Sequence, residues 1–172
     1  MKAERRRFLS YALTVVSMAG MSLVTSGAGL GAKSAWAAAD PNADIMQLQG
    51  TQESGPGSID PRIGSLPQLK KPPLSAYNTY KLIDKKSQPA KIGVANAYPL
   101  ANGRTLNVTL TEITSDKRYR VLITISEANA KDFLKKLEIV ESPNEPFFLA
   151  GQYVDAKNPD KGGLILGITI RP

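Results

Sequence analysis

The chain has 172 residues, 42% of them hydrophobic and 22% charged, with a formal net charge of +7 and neither a cysteine nor a histidine. That composition removes thiolate and imidazole ligands for zinc, copper, iron–sulfur clusters or haem, and with them Cys nucleophiles, Ser-His-Asp triads and lipid-modified cysteine anchors. Disulfides are excluded too, so the core must hold by burial and hydrogen bonding, and no cofactor and no catalytic or metal-ligating residue is assigned.

Residues 1–39 contain the three parts of a secretory signal peptide. Arg5, Arg6 and Arg7 give a basic start, the stretch from Tyr11 to Ala32 is uncharged, and Ala35-Trp36-Ala37 is a small-residue cleavage site. At about 20 apolar residues per span the segment is long enough to remain as a membrane anchor. Gly20, Gly27, Gly29 and Gly31 dilute its hydrophobicity, which favours cleavage and a mature chain starting near Ala38 or Asp40. Lys2, the three arginines and Lys33, less Glu4, carry +4 of the formal +7 and leave +3 for everything after the site. A nucleic-acid partner is therefore not expected.

With Arg5, Arg6, Phe8 and Leu9 in place, the start resembles a bacterial twin-arginine export signal. Glu4 stands where that pattern has a hydroxyl residue and Ser10 where it has a lysine, so the twin-arginine and general secretory routes both stay open. The resemblance implies export of an already folded protein.

Residues 40–75 are rich in Pro, Gly, Ser, Gln and Asp, with neither helical nor alternating apolar periodicity. Such composition offers little apolar surface against a backbone ordering cost of about 1–2 kcal/mol per residue. It predicts a flexible tether ending at Pro72-Pro73. The alternative is an extended segment lying across the domain, docked through Ile63, Leu66 and Leu69.

Residues 76–172 show a period of two. Leu106, Val108 and Leu110 alternate with Thr105, Asn107, Thr109 and Thr111; Tyr119, Val121, Ile123 and Ile125 alternate with Arg120, Leu122, Thr124 and Ser126. Leu164, Leu166, Ile168 and Ile170 repeat the pattern near the end. Alternation of this kind puts one set of side chains on a buried face of an antiparallel sheet. The run from Phe147 to Val154 is apolar on both faces and predicts a central or doubly covered strand. Residues 126–137 fit either a helix opened by Ser126 or, as β-favouring Glu138-Ile139-Val140 argues, the start of a strand over Phe133 to Val140. Asn102-Gly103 predicts a type I′ hairpin, and residues 115–118 and 142–145 predict further turns. The expected fold is mainly β, a small antiparallel β-sandwich or open barrel of six or seven strands preceded by a disordered tether.

Three features have the residue types for chemistry. Asp155, Asn158 and Asp160 offer oxygen ligands for calcium, but Lys157 and Pro159 interrupt the EF-hand spacing, and Asn, Asp, Pro and Gly are what a plain turn needs. Glu138, Glu141 and Glu145 supply carboxylates for acid–base work on a glycoside, provided two of them face each other about 5–9.5 Å apart. The basic groups Lys85, Lys86 and Lys91, Lys117, Arg118 and Arg120, and Lys135 and Lys136 stand near Tyr77, Tyr80, Tyr98 and Tyr119 and could form a patch for an acidic polymer. Lysines on edges and turns are also an ordinary guard against aggregation.

Tyr77–Leu82, Ala101–Leu106 and Gly162–Ile168 make residues 72–172 similar to a group of small exported all-β proteins of myxobacteria-type bacteria. That similarity implies an envelope or secreted location and transfers no activity and no functional residue. The expectation is a non-enzymatic β-module, periplasmic or secreted, binding or scaffolding an envelope protein or an acidic polysaccharide, with a membrane involved only if the signal is retained as an anchor. The alternative is a metal-independent, carboxylate-based hydrolase acting on a cell-envelope polymer.

Overall fold

The computed structural model describes residues 40–127 and 132–172. The export residues Arg5, Arg6, Phe8, Leu9, Ala35 and Ala37 lie outside the described residues, as do residues 128–131 of the segment that fitted helix or strand. Among the described residues no helix is long and apolar enough to cross a membrane.

Among the described residues, eight strands form two four-stranded antiparallel sheets. One has the order β2-β1-β8-β7, from β1 (Asn42–Thr51), β2 (Thr79–Pro89), β7 (Phe147–Tyr153) and β8 (Gly163–Arg171). The other is a meander of β3 (Ala95–Pro99), β4 (Thr105–Ile113), β5 (Tyr119–Ser126) and β6 (Asp132–Glu141). The period-two residues behave as expected. Leu106, Val108 and Leu110 of β4 and Val121, Ile123 and Ile125 of β5 meet Leu164, Leu166, Ile168 and Ile170 of β8 in one buried cluster between the sheets. Two hydrogen-bonded links cross that core. The Tyr98 hydroxyl donates to the Ala43 carbonyl at 3.1 Å, and the Gln47 amide donates to the Pro99 carbonyl while accepting from the Ala101 N–H, both at 2.9 Å. Burial pushes the Tyr98 phenol up to about 12.

The tether reading of residues 40–75 is corrected at both ends. Asn42–Thr51 is a central strand, paired to β8 from Asn42↔Arg171 to Gly50↔Gly163, and it raises the count from the expected six or seven to eight. Its positions toward the sandwich core are Ala43, Ile45, Gln47 and Gln49, and toward the other side Asp44, Met46, Leu48 and Gly50, as pairing with alternating β8 requires. Both faces are covered and two core positions carry glutamine, so no apolar alternation is left to read.

Residues 52–78 then form a cover over the outer face of the first sheet. Ile63, Leu69 and Leu74, each in a short 3-10 turn, are buried against Leu48, Tyr80 and Ile165, with Leu66 and Tyr77 packed beside them. The docked alternative, through Ile63, Leu66 and Leu69, describes this segment. Tyr77 sits over the cross-strand pair Gly50 and Gly163, where a Cβ would come within 2.8 and 2.3 Å of its ring carbon and hydroxyl. The Tyr80 hydroxyl donates to the Leu74 carbonyl and lies 3.3 Å from that of Leu69.

Two further expectations change. Phe147–Tyr153 is an edge strand, with Phe147, Phe148 and Leu149 half-buried and Tyr153 exposed. In the β3–β4 hairpin only Gly103 has positive φ, at 80°. Leu100 donates to Arg104 at 2.8 Å and Gly103 to Leu100 at 3.0 Å, so this is a three-residue loop closing in glycine rather than a two-residue type I′ turn. Lys117, at φ 61°, ends the β4–β5 loop in the same way.

Candidate functional site

The structure separates most of the side chains that sequence placed together. Asp155 accepts from the Lys161 ammonium and from the Lys157 backbone N–H, both at 3.0 Å, and the lysine holds its carboxyl below the usual range. A concavity of about 440 Å³ beside it is lined by Asn102, Val154, Lys157 and Lys161 and contains that one carboxylate. Two more, of about 450 and 390 Å³, lie in the cover around Ile59 and Lys70. Neither holds a carboxylate pair.

Glu138 and Glu141 belong to opposite faces of β6. Glu138 is opposite outward-facing Leu122 and binds Arg120 at 2.7 Å, while Arg120 also reaches Glu112 at 3.0 Å. Glu141 is buried, 8% exposed, and neither carboxylate oxygen has a hydrogen-bond partner. Burial pushes its carboxyl up to about 8, with the nearby Ile170 amide drawing it slightly back without a bond of good geometry. Glu145 is exposed in the following turn. A raised carboxyl is what a general acid needs, but these glutamates offer it no facing carboxylate.

The tyrosines near the basic groups are structural: Tyr80, Tyr98 and Tyr119 are buried and Tyr77 packs into the cover. Lys86 pairs with Asp84, Arg118 with Asp116, and Arg120 with its two glutamates. Lys85, Lys117 and Lys135 are on three different elements, β2, the β4–β5 turn and β6. A mixed basic and aromatic patch is not assembled from them.

The sheet edges differ more than any pocket does. An edge strand presents unpaired backbone groups and is a ready template for another strand. On β2 the template is closed at one end. The Tyr80 N–H donates to the Ser58 carbonyl at 2.8 Å and its carbonyl accepts from Asp60 at 2.9 Å. One residue pair further on, the Asp60 carboxylate accepts from the Leu82 N–H at 3.3 Å while the Arg62 guanidinium donates to the Leu82 carbonyl at 3.3 Å, so two side chains stand in for a neighbouring backbone. The bidentate Asp60–Arg62 pair orients both, and the arginine holds the aspartate well below the ordinary carboxylate range. Nothing in the spacing Asp-Pro-Arg announces this, because the carboxylate doubles as the cap of a three-residue turn.

On β7 a bulge at Ala150-Gly151, with Gly151 at φ 107°, interrupts pairing opposite Ile165. β3 has five residues and ends at Pro99, with the Asn96 amide donating to the Pro89 carbonyl. That leaves β6. It is ten residues long, its regular part from Leu137 to Glu141 is paired to β5, and its far edge carries no strand among the described residues. Phe133 and Val140 on it are 45% and 39% exposed. Its first end is fixed by Arg104, whose guanidinium lies 3.5 Å from the Phe133 ring centre and donates to Gln152 at 3.1 Å, where Asn102 also donates. Among the described residues no segment covers the outer face of this sheet, whereas that of the other sheet is under the cover.

Protein-family models, curated proteins and solved structures give no match to this chain.

Proposed function

We propose that the protein is a non-enzymatic β-module, exported by its first 39 residues, that binds or scaffolds another envelope or extracellular component by accepting an extended segment along β6. The carrying observation is the contrast between edges: β2 is closed at one end by residues 58–62, β7 is broken by a bulge opposite Ile165 and β3 stops at a proline after five residues, whereas β6 runs for ten residues, is regularly paired to β5 from Leu137 to Glu141, and has no strand on its far edge among the described residues. Strand addition of this kind takes its affinity from backbone hydrogen bonds and its selectivity from alternate side chains. Lys135 and Lys136 supply that selectivity, since edge lysines repel a generic apolar strand and favour one with an acidic residue opposite them.

The test is retention of envelope proteins by the immobilised wild type and by Val140→Asp, which places a charge on the free edge without touching the core. Partners held by the wild type and lost by the variant, with both showing the same β-type circular dichroism, are the expected result. Equal retention would remove β6 as the binding element.

A further inference from the structure

The charge order of β6 itself specifies what lies best against it. From Phe133 to Val140 the strand reads apolar, apolar, Lys135, Lys136, Leu137, Glu138, Ile139, Val140, with its cationic doublet just before its centre and its carboxylate just after. Against β5 the doublet forms a two-for-one bulge: Leu137 pairs with Ile123 and Leu134 with Ile125, so both lysines, each exposed, answer to Thr124 alone. Leu134, Leu137 and Ile139 go to the core.

We infer that the free edge of β6 pairs with β6 of a second copy of this chain, antiparallel about a two-fold axis at Leu137, joining the two meanders into one eight-stranded sheet. This rests on the reading of β6 as an edge open to strand addition, and makes a second copy a competitor of any envelope partner for it. In that register Lys136 lies opposite Glu138 of the second copy, and symmetry makes the contact twice. If one lysine is left over, as it is against Thr124, Leu134 meets Ile139 and Phe133 meets Val140, so core-directed residues adjoin core-directed ones and the two exposed apolar side chains cover each other. Directly opposed charges of unlike sign stabilise a cross-strand pair and like signs destabilise it, so the lysines that deter other strands select this one. The association is closed: once paired, each copy presents only its short β3 edge in that sheet, which gives a dimer and not a filament. A contact of one strand per copy lies below about 1,200 Å², the size of transient interfaces, so the dimer depends on concentration.

Sedimentation equilibrium of the full-length chain tests this with two charge reversals, Glu138→Lys and the double variant Lys135→Glu/Lys136→Glu. The second leaves the Arg120–Glu138 pair untouched and serves if the first does not fold. The wild type is expected to dimerise with rising concentration, each reversal alone to weaken dimerisation at least about tenfold through like-charge opposition, and an equimolar mixture of the two to recover a heterodimer of wild-type strength. A wild type still monomeric at about 1 mM, where only associations weaker than roughly −4 kcal/mol escape detection, would overturn self-pairing, as would reversals without effect or a mixture that does not recover. Val140→Asp, which also removes the Phe133 contact, should lose both the dimer and the retained partners if β6 is the edge; a wild type that retains partners but stays monomeric overturns self-pairing alone, and one that dimerises but retains nothing overturns the envelope partner alone.

Discussion

Replacing Leu69 by alanine should detach the cover from the first sheet while leaving the sandwich core intact. Leu69 is 2% exposed and lies in the outer cluster with Leu48, Ile63, Leu74, Tyr80 and Ile165, apart from the cluster between the sheets. Truncating a fully buried leucine costs about 2–5 kcal/mol, least where the surroundings can collapse into the space. Here collapse is limited from two sides. Tyr80 is tied through its hydroxyl to the Leu74 carbonyl, and Tyr77 is seated on Gly50 and Gly163. A value in the upper half of that range is therefore expected, a large part of a total stability of about 5–15 kcal/mol. The opening should be local first, because residues 52–78 can leave without breaking a pairing between the eight strands. Urea denaturation followed by circular dichroism, combined with limited proteolysis, reads both. Leu69→Ala should be cut within residues 52–58 at denaturant concentrations where the strands persist, whereas Leu110→Ala, in the inner cluster, should lose both together. A cost below about 0.5 kcal/mol for Leu69→Ala, the range of ordinary surface changes, with unaltered proteolysis, would refute the cover as a packed layer.

Glu141 is expected to make stability fall as pH rises. Its folded-state carboxyl stands at about 8 against an ordinary 4.5, so from about 4.5 to 8 the unfolded chain releases a proton that the native chain keeps, and the loss is complete above 8. Glu141→Gln should remove that slope and gain on the wild type by up to a few kcal/mol near pH 8, at about 1.4 kcal/mol per unit of displacement; a wild-type minus variant difference constant over pH 4–9 would refute the assignment. Asp60→Ala should expose the Leu82 N–H, so hydrogen exchange at that amide should quicken by about an order of magnitude or more while β8 amides keep their protection. If residues 1–39 act as the proposed export signal, mass spectrometry of the mature protein should give an N-terminus just after Ala37, and an intact Met1 would leave the anchored form.

Where one face of a strand was open, the sequence was legible. The alternations of β4 and β5 follow directly from a meander whose outer face meets water, and that of β8 could be read because two of its outward positions, Gly163 and Gly167, are glycines. β1 was illegible for the converse reason: covered on both sides, it has no polar face, and Gln47 and Gln49 use core-directed positions to bond the Ala101 and Lys161 loops. The cover was illegible because its composition is that of a disordered segment, while its docking depends on Ile63, Leu69 and Leu74 in successive 3-10 turns, a spacing with no period to detect. β7 failed differently. Its continuous apolar run is that of a doubly covered strand, but the bulge at Ala150-Gly151 and the edge position turn half of it outward.

The candidate site was legible in its residues and not in its geometry. Glu138, Lys135 and Lys136 were visible as charges, yet their meaning depends on β6 being an edge, which depends on β5 and not β7 being its neighbour, a long-range choice that local pattern does not encode. The same choice divides the glutamates: a strand sends residues three apart to opposite faces, so Glu138 and Glu141 could face a common cleft only on a helix or across a bulge. Once that segment is a regular strand from Leu137 onward, one carboxylate is committed to solvent and Arg120 and the other to the core. If β6 is the proposed binding edge, ionising the buried carboxyl works against it at high pH. An ionised Glu141 would be a buried, unpaired charge beside the Tyr119 pairing that ends β6, so under the proposed reading retention of partners by the immobilised protein should weaken as pH rises toward about 8, and retention unchanged over that range would count against it.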